Sequence, residues 1–376
     1  MTVLLVISFL FLLGYVSALA FFWPSGGDPA PDPPAGPEAM SLPGLTVLVP
    51  FRDEEKQLSR LVRDLAAQDY PTEKLDILFI DDHSRDGGAA LLGSLLPAHP
   101  HMRSLALGPG REGKKAALAR GVEAAKHAWI LQMDADVCPG PRHARTLMSH
   151  GVRAGADLVA GPVAVRGRGV IGLFQELDVL SMTGLSAGSF RRGRAQVCSG
   201  ANLLYSKVLY EETRSADPSG AVASGDDMFL MIGARLLGRT LVFCADPDAL
   251  VVTSPESGWR SLIRQRVRWA AKAPHYKLPE IRFFAGWVTL TNVLLWGLAG
   301  AGIAGAGPGW WSFLPLGMKC GVDFLYLRKA ASITGSRRRM TGFLVVFLLY
   351  VPVYASVALS MLGGRTNWKG RVVRAR

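Results

Sequence analysis

Acidic residues follow three short apolar segments of this chain, each at the point where a strand is expected to end. The segments are 45–50, 75–80 and 128–133, with the sequences LTVLVP, LDILFI and AWILQM. Amphipathic helical patterns lie between them, so they predict an α/β domain with a mostly parallel sheet. Such sheets bind ligands at the carboxyl ends of their strands. The acidic residues expected to meet at this edge are Asp53, Glu54, Asp81, Asp82, Asp134 and Asp136.

Asp134 and Asp136 have the most specific chemistry of this group. They are two residues apart, directly after a buried strand, so their carboxylates can face one point. Oxygen ligands arranged in this way suit a divalent cation, which could in turn hold a diphosphate. For the other acidic groups, a plain turn or a favourable interaction with a helix dipole stays an alternative interpretation.

Two further polar groups lie in the second half of the chain. Asp226 and Asp227 precede an apolar helical pattern, where they could cap the helix or supply a general base. Gln265, Arg268 and Trp269 are spaced i, i+3 and i+4 and therefore share one helix face. The arginine could hold a phosphate and the tryptophan could stack on a sugar. A basic helix lying on anionic lipid is the alternative.

The composition indicates a membrane protein with one sizeable globular domain. Its 376 residues are only 19% charged and have a mean hydropathy of +0.22, which excludes a disordered chain and argues against an ordinary soluble enzyme. Residues 1–23 predict a transmembrane anchor, with a cleaved signal peptide as the alternative. A linker rich in proline and glycine is expected at 24–44, and the globular domain at 45–278.

A second membrane region is predicted at 279–364, followed by a basic tail at 365–376. It should contain two to three spans or re-entrant segments. The first uncharged run predicts a span. The second run contains Lys319 and Asp323 at i,i+4 spacing, where they could pair. The third run is interrupted by Pro352. Three complete spans would place the basic tail on the far side of the membrane, so one run is expected to be re-entrant or interfacial.

The positive charge of the chain is concentrated beside these apolar runs. Lysine and arginine number 42 against 30 acidic residues, which gives a net charge of +12. The positive-inside rule explains this charge and places the globular domain in the cytosol, so no nucleic-acid partner is predicted. The alanine-, glycine- and arginine-rich composition suggests a bacterial inner membrane.

The motifs, taken in order, resemble those of the membrane-bound members of glycosyltransferase family 2. They are Pro50-x-Arg52-Asp53-Glu54-Glu55, Asp81-Asp82-x-Ser84-x-Asp86, Gly113-Lys114, Asp134-x-Asp136, Asp226-Asp227 and Gln265-x-x-Arg268-Trp269. The resemblance implies a GT-A fold, which is a nucleotide-sugar-binding α/β domain. It also implies inverting transfer of a sugar from a nucleotide-sugar donor, most often a UDP-sugar in this family.

The resemblance further implies a role for each motif. The residues expected to bind the nucleotide are Pro50, Arg52, Asp53, Glu54, Asp81, Asp82 and Lys114. Asp136, helped by Asp134, would bind Mg²⁺ or Mn²⁺ bridging the diphosphate. Asp227 would be the catalytic base, with Asp226 beside it. The residues expected to contact the diphosphate or the acceptor are Gly200, Ala201, Gln265, Arg268 and Trp269.

The predicted acceptor is a hydroxyl group of a membrane lipid, as in ceramide glucosyltransferases and hopanoid-associated transferases. Processive synthases of polysaccharides such as cellulose, chitin or hyaluronan are the alternative, although few membrane segments are available for a channel. A P-loop NTPase is disfavoured because Lys115 stands where the Mg²⁺-binding hydroxyl would be. A non-catalytic scaffold is disfavoured because every required acidic position is filled.

Overall fold

The structure is a computed structural model that describes residues 2–24, 42–216, 226–362, 365–368 and 371–374. Most of the linker predicted at 24–44 therefore lies outside the described residues. The backbone is described for two short strands of the predicted basic tail, which pair in antiparallel orientation.

A seven-stranded sheet is the centre of the globular domain. The strands in chain order are β1 (Leu45–Phe51), β2 (Leu75–Asp81), β3 (Met102–Ala106), β4 (Trp129–Gln132), β5 (Cys138–Pro139), β6 (Leu158–Ala160), β7 (Val163–Val165), β8 (Leu203–Ser206), β9 (Leu241–Phe243), β10 (Val251–Thr253), β11 (Arg365–Trp368) and β12 (Arg371–Arg374). Across the large sheet the order is β3-β2-β1-β4-β8-β6-β9, and the four neighbours β3, β2, β1 and β4 are parallel to one another. A smaller sheet has the order β5-β10-β7.

Helices cover both faces of the large sheet, which confirms the predicted α/β fold. The helices in chain order are α1 (Thr2–Phe21), α2 (Glu55–Ala66), α3 (Gly88–Leu95), α4 (Lys114–Ala124), α5 (His143–Arg153), α6 (Gly169–Arg191), α7 (Lys207–Ala216), α8 (Asp226–Leu236), α9 (Trp259–Ala270), α10 (Pro279–Ile303), α11 (Leu314–Thr334) and α12 (Phe343–Leu362). One core joins the sheet to α2, α3 and α5, and another joins it to α4 and α8. Every residue of β1 is buried, as expected for a parallel strand covered on both faces.

The sheet order explains why the acidic motifs lie together. Strands β2, β1 and β4 are parallel neighbours, so their carboxyl ends meet at one edge. Asp82 follows β2, Glu54 follows β1, and Asp134 and Asp136 follow β4. The prediction that these segments end at a common edge is confirmed.

Three helices of the described residues are long and apolar enough to cross a membrane: Val3–Phe21, Pro279–Ile303 and Arg337–Leu362. The helix between the last two, α11, is not among them. It packs against α1 and carries the predicted pair, with 2.5 Å between Lys319 Nζ and Asp323 Oδ2. The number of spans and their orientation stay predictions.

The expected interruption at Pro352 is wrong, because α12 continues through this residue from Phe343 to Leu362. A proline removes one backbone donor and crowds the preceding turn, which ends many helices in water. In apolar surroundings the chain has no solvent to replace helical hydrogen bonds, so a proline is tolerated inside a long apolar helix.

Candidate active site

One cavity of about 2120 Å³ begins at the carboxyl ends of the parallel strands and continues between the apolar helices. Its wall includes Val288 and Asn292 of α10 as well as Phe347 and Tyr350 of α12. The predicted site residues in its lining are Pro50, Arg52, Glu54, Asp82, Lys114, Asp134, Asp136, Gly200, Ala201, Asp226, Asp227, Gln265, Arg268 and Trp269. A single space therefore contains nearly all of the motifs found in the sequence.

Asp53 and Asp81 lie beside this cavity but not in its lining. Asp53 has a φ of 51°, and its Oδ1 accepts a hydrogen bond of 2.7 Å from the Arg85 amide. Asp81 Oδ1 accepts from the Ser84 amide at 2.9 Å. Both carboxylates thus hold the loop after β2 in place, and direct contact of either side chain with a nucleotide stays a prediction.

Asp82 joins this loop to the beginning of α4. Its Oδ1 accepts from the Gly113 amide at 3.0 Å, and its backbone oxygen accepts from Arg52 at 3.0 Å. Gly113 has a φ of 89°, a conformation that favours glycine. This geometry places Lys114, the next residue, in the cavity wall.

Lys114 and Asp134 form an ion pair inside the cavity. Burial lowers the pKa of the Lys114 ammonium, but the negative charges of Asp134, Asp227 and Asp226 outweigh burial and raise that pKa above its usual value. Lys114 is therefore a fixed cation that faces both predicted acidic centres. A group in this position can neutralise a phosphate as well as a carboxylate.

Asp136 is held by Thr253 of β10, whose hydroxyl donates to Asp136 Oδ2 at 2.7 Å. Burial raises the pKa of Asp136 to about 6, and the neighbouring charges of Asp134 and Glu54 contribute in the same direction. The acidic edge is thus strongly electronegative, and a cation would relieve the repulsion between its carboxylates.

Asp134 and Asp136 suit a cation that takes some of its ligands from a substrate. Within the described ranges, no group of three or more histidine, cysteine or acidic side chains could form an all-protein metal site. Mg²⁺ typically binds one or two carboxylates together with water and phosphate oxygens. The pair therefore fits the predicted cation only when a diphosphate completes the ligand set.

Asp227 is oriented by two backbone amides at the beginning of α8. Its Oδ2 accepts from Gly200 at 2.9 Å and its Oδ1 accepts from Met228 at 2.8 Å. Gly200 is in turn fixed by Gln132 of β4, which donates to the Gly200 oxygen at 3.1 Å. The glycine loop thus connects the end of the sheet to the predicted base.

Asp226 lies beside Asp227 and opposite Lys114. Burial raises the pKa of Asp226, while the positive charge of Lys114 acts in the opposite direction and the charge of Asp227 adds to the increase. Two adjacent carboxylates and one ammonium group therefore share the space at the start of α8. Ser224 and Gly225, the two residues before Asp226, lie outside the described residues.

Helix α9 presents Gln265, Arg268 and Trp269 to the cavity, as the spacing predicted. Burial lowers the pKa of Arg268. Within the part of the chain that the structure describes, no hydrogen bond or ion pair engages its guanidinium group. Arg268 is therefore available to an anionic ligand.

Sequence reasoning missed the side chains that hold α9. Arg266 donates to Gln265 Oε1, lies 4.1 Å above the Trp269 ring, and forms an ion pair of 2.7 Å with Asp178 of α6. The detectable signal was Glu176 and Asp178 as two acidic residues inside a long helix that is otherwise uncharged up to its last residue.

The globular domain is similar in sequence to proteins of one family. Residues 43–271, more than half of the chain, match the family described as glycosyltransferase-like family 2. The succinoglycan biosynthesis protein ExoO of Rhizobium meliloti is 25% identical over 209 residues, which are 54% of this chain and 58% of that protein. An N-acetylglucosaminyltransferase of the same organism is 25% identical over 320 residues, covering 78% of this chain and 74% of that protein. The chain spans about half the length of the first curated relatives it matches, at 58%, 40% and 55%.

A solved structure supports the fold independently. The mannosyltransferase PcManGT from Pyrobaculum calidifontis, determined in complex with GDP-Man and Mn²⁺, superposes with a TM-score of 0.55 at 19% identity. The match covers 92% of this chain and 97% of that one. Together with the family match, it leads to one conclusion: the chain belongs to glycosyltransferase-like family 2, and its globular domain has the GT-A fold.

Proposed function

We propose that this protein transfers a sugar from a nucleotide-sugar donor, expected to be a UDP-sugar, to a hydroxyl group of a membrane lipid, with inversion at the anomeric carbon. The observation that carries the proposal is the shared cavity. It contains the amide-bound carboxylate of Asp227, the acidic pair after β4 and the guanidinium group of Arg268, and it continues between α10 and α12.

Asp227 is the proposed general base. Two backbone amides fix the orientation of its carboxylate. The side chain therefore need not reorient before it accepts the proton of an acceptor hydroxyl. As the base takes the hydroxyl proton, the acceptor oxygen bonds to the anomeric carbon. The bond from that carbon to the diphosphate breaks, and its electron pair leaves with the nucleoside diphosphate. This single displacement requires no covalent nucleophile.

Positive groups must stabilise the departing diphosphate. Arg268 and Lys114 both line the cavity and can pair with phosphate oxygens. Asp134 and Asp136 would hold a divalent cation, which supplies further positive charge to the diphosphate when it is bound. The Mn²⁺ and GDP-Man in the PcManGT complex support a cation and a nucleotide sugar in this fold.

The lipid acceptor is proposed from the position of the cavity rather than from the family. An acyl chain could lie against Val288 of α10 and Phe347 of α12 while its head group reaches towards Asp227. The cytosolic position of the globular domain, predicted from the charge distribution, would bring the soluble donor to the opposite end of the same space.

A processive polysaccharide synthase is the second candidate. Tyr15, Lys319 and Asp323 form a polar cluster in the wall of the cavity between the apolar helices, with Tyr15 donating to Asp323 at 2.6 Å. Polar and aromatic groups at this position suit a sugar chain better than an acyl chain. The length of the product distinguishes the two candidates.

The test is a donor screen on the full chain in phosphatidylglycerol nanodiscs that contain diacylglycerol or ceramide, with Mn²⁺ present. Release of nucleoside diphosphate is measured, and labelled product is separated by organic extraction. Asp227→Asn should abolish both signals. Asp248→Asn, which removes a carboxylate of an exposed ion pair outside the cavity, should leave both unchanged.

The form of the product decides between the candidates. A discrete extractable glycolipid supports the lipid acceptor, whereas a ladder of high molecular weight supports the synthase. Absence of metal-dependent release with every UDP- and GDP-sugar would contradict the proposed function.

A further inference from the structure

Helix α6 contains two buried polar side chains that hold α9 and the loop before it. Gln175 donates to the Glu256 oxygen at 3.0 Å and accepts from the Glu256 amide at 2.8 Å. Three residues further along, Asp178 Oδ2 accepts from Arg266 Nε at 2.7 Å. Helix α6 thus holds α9, which carries Gln265 and Trp269, and the loop before it.

The pair of Arg266 and Asp178 is deeply buried, with side chains only 2% and 1% exposed. Removing two charges from water costs nearly as much as their attraction returns, so a buried ion pair is a poor source of stability compared with apolar residues. A positional role explains the pair better. Arg266 contacts both residues that it would position, because it also donates to Gln265 and lies 4.1 Å above the Trp269 ring.

Asp178 also connects this pair to the apolar helices. Its second oxygen, Oδ1, accepts a hydrogen bond of 2.9 Å from the hydroxyl of Tyr354 on α12. Tyr354, Asp178, Arg266 and Trp269 all line the cavity. A molecule bound beside α12 would therefore contact Tyr354, which is connected through Asp178 and Arg266 to Gln265 and Trp269.

We propose that Arg266 and Asp178 are positioning residues that fix Gln265 and Trp269, and that Tyr354 couples this arrangement to the occupant of the cavity beside α12. The inference rests on the proposed function only in taking α9 as the element that closes over the substrates. Arginine is required at position 266 because a planar guanidinium group can bind a carboxylate, an amide oxygen and an aromatic face together, which an ammonium group cannot.

The first test measures backbone hydrogen exchange in the full chain in phosphatidylglycerol nanodiscs, without substrate. Arg266→Lys and Tyr354→Phe should each increase exchange in peptides covering α9 about fivefold, because each removes a contact that orders this helix. Peptides covering β1 and β2 should change less than about twofold, since they lie outside the contact chain.

Two matched variants control for general damage. Arg103→Lys alters another arginine that pairs with a buried carboxylate, Asp76, outside the cavity. Tyr70→Phe removes another buried tyrosine hydroxyl, which donates to the Pro43 oxygen. Neither should change exchange in α9. If Arg266→Lys does not fold, Tyr354→Phe removes a single hydroxyl group and carries the test alone.

The double variant tests the coupling itself. If Tyr354 acts through Asp178 and Arg266, Tyr354→Phe should add little once Arg266 is lysine, whereas independent effects would multiply. Unchanged α9 exchange in either single variant, multiplying effects, or an equal increase across the whole domain would overturn the proposal.

Turnover provides a second readout. Both single variants should lower kcat about tenfold and leave the donor KM within about threefold, because orientation at the reacting centre is lost while the donor pocket stays intact. If wild type transfers no sugar, the proposed function fails, but the exchange experiment still decides the positioning role.

Discussion

Gly200→Ala should disable the active site although it adds only one methyl group. An alanine Cβ at this position would lie 2.5 Å from Gln132 Nε2, 3.3 Å from Asp227 Cβ and 3.5 Å from Asp227 Oδ2. Ordinary contacts between such atoms are about 3.5 Å or more, so a displacement of about 1 Å is required. The methyl group would therefore separate the glycine loop from the predicted base.

Gln132 cannot easily provide this displacement. It is 2% exposed, donates to the Gly200 oxygen and accepts from the Tyr205 hydroxyl at 3.3 Å. The strain therefore falls on the loop and on Asp227. Overpacking of a filled site costs about 1–3 kcal/mol of stability. Misplacement of a reacting group by about 1 Å lowers turnover roughly 100-fold.

The assay combines nucleoside-diphosphate release with thermal unfolding in nanodiscs. Gly93→Ala is the matched control, because Gly93 is exposed on α3 and a Cβ there meets nothing within 4 Å. Gly200→Ala should also have no further effect in an Asp227→Asn background, since the group it displaces is already inactive. Turnover of Gly200→Ala within threefold of wild type would contradict the expected displacement of Asp227.

Three further predictions concern the metal and pH. Chelation with EDTA should abolish turnover and Mn²⁺ or Mg²⁺ should restore it. Thr253→Val should raise the metal concentration required about 10- to 100-fold, because Asp136 loses its hydroxyl partner, whereas Thr253→Ser should not. Burial lowers the pKa of His143 to about 4, despite its hydrogen bond to Asn202. The unfolded chain then binds more protons below about pH 6.5, so stability from this residue falls by up to about 3 kcal/mol as pH drops to 4. The pH dependence of unfolding should therefore be weaker in His143→Gln, and identical profiles would contradict this assignment.

The strands could be predicted because their apolar runs are continuous. Leu45–Phe51 and Leu75–Asp81 are buried along nearly their whole length. A short continuous apolar run is typical of such a fully buried strand. Parallel pairing then brings the acidic ends together without further information. Most of the candidate site follows from this one property of the sheet.

The directions of individual side chains could not be predicted. Asp53 belongs to the same acidic run as Glu54, yet its backbone conformation turns its carboxylate to the Arg85 amide. The tertiary contacts of α6 are equally invisible in the sequence, because Asp178 becomes meaningful only when α9 and α12 are packed against it. At Pro352 a local rule gave the wrong result, because the proline lies inside a long apolar helix that continues through it.

The central claim is that Asp227 deprotonates an acceptor hydroxyl in a metal-dependent sugar transfer. The most direct test follows labelled sugar from a nucleotide donor into lipid, comparing wild type, Asp227→Asn and Asp248→Asn in the same nanodiscs. If Asp227 is the base, wild type and Asp248→Asn should form a labelled glycolipid, and Asp227→Asn should lose at least about 1000-fold of this activity. Substantial glycolipid formation by a folded Asp227→Asn protein would contradict this claim.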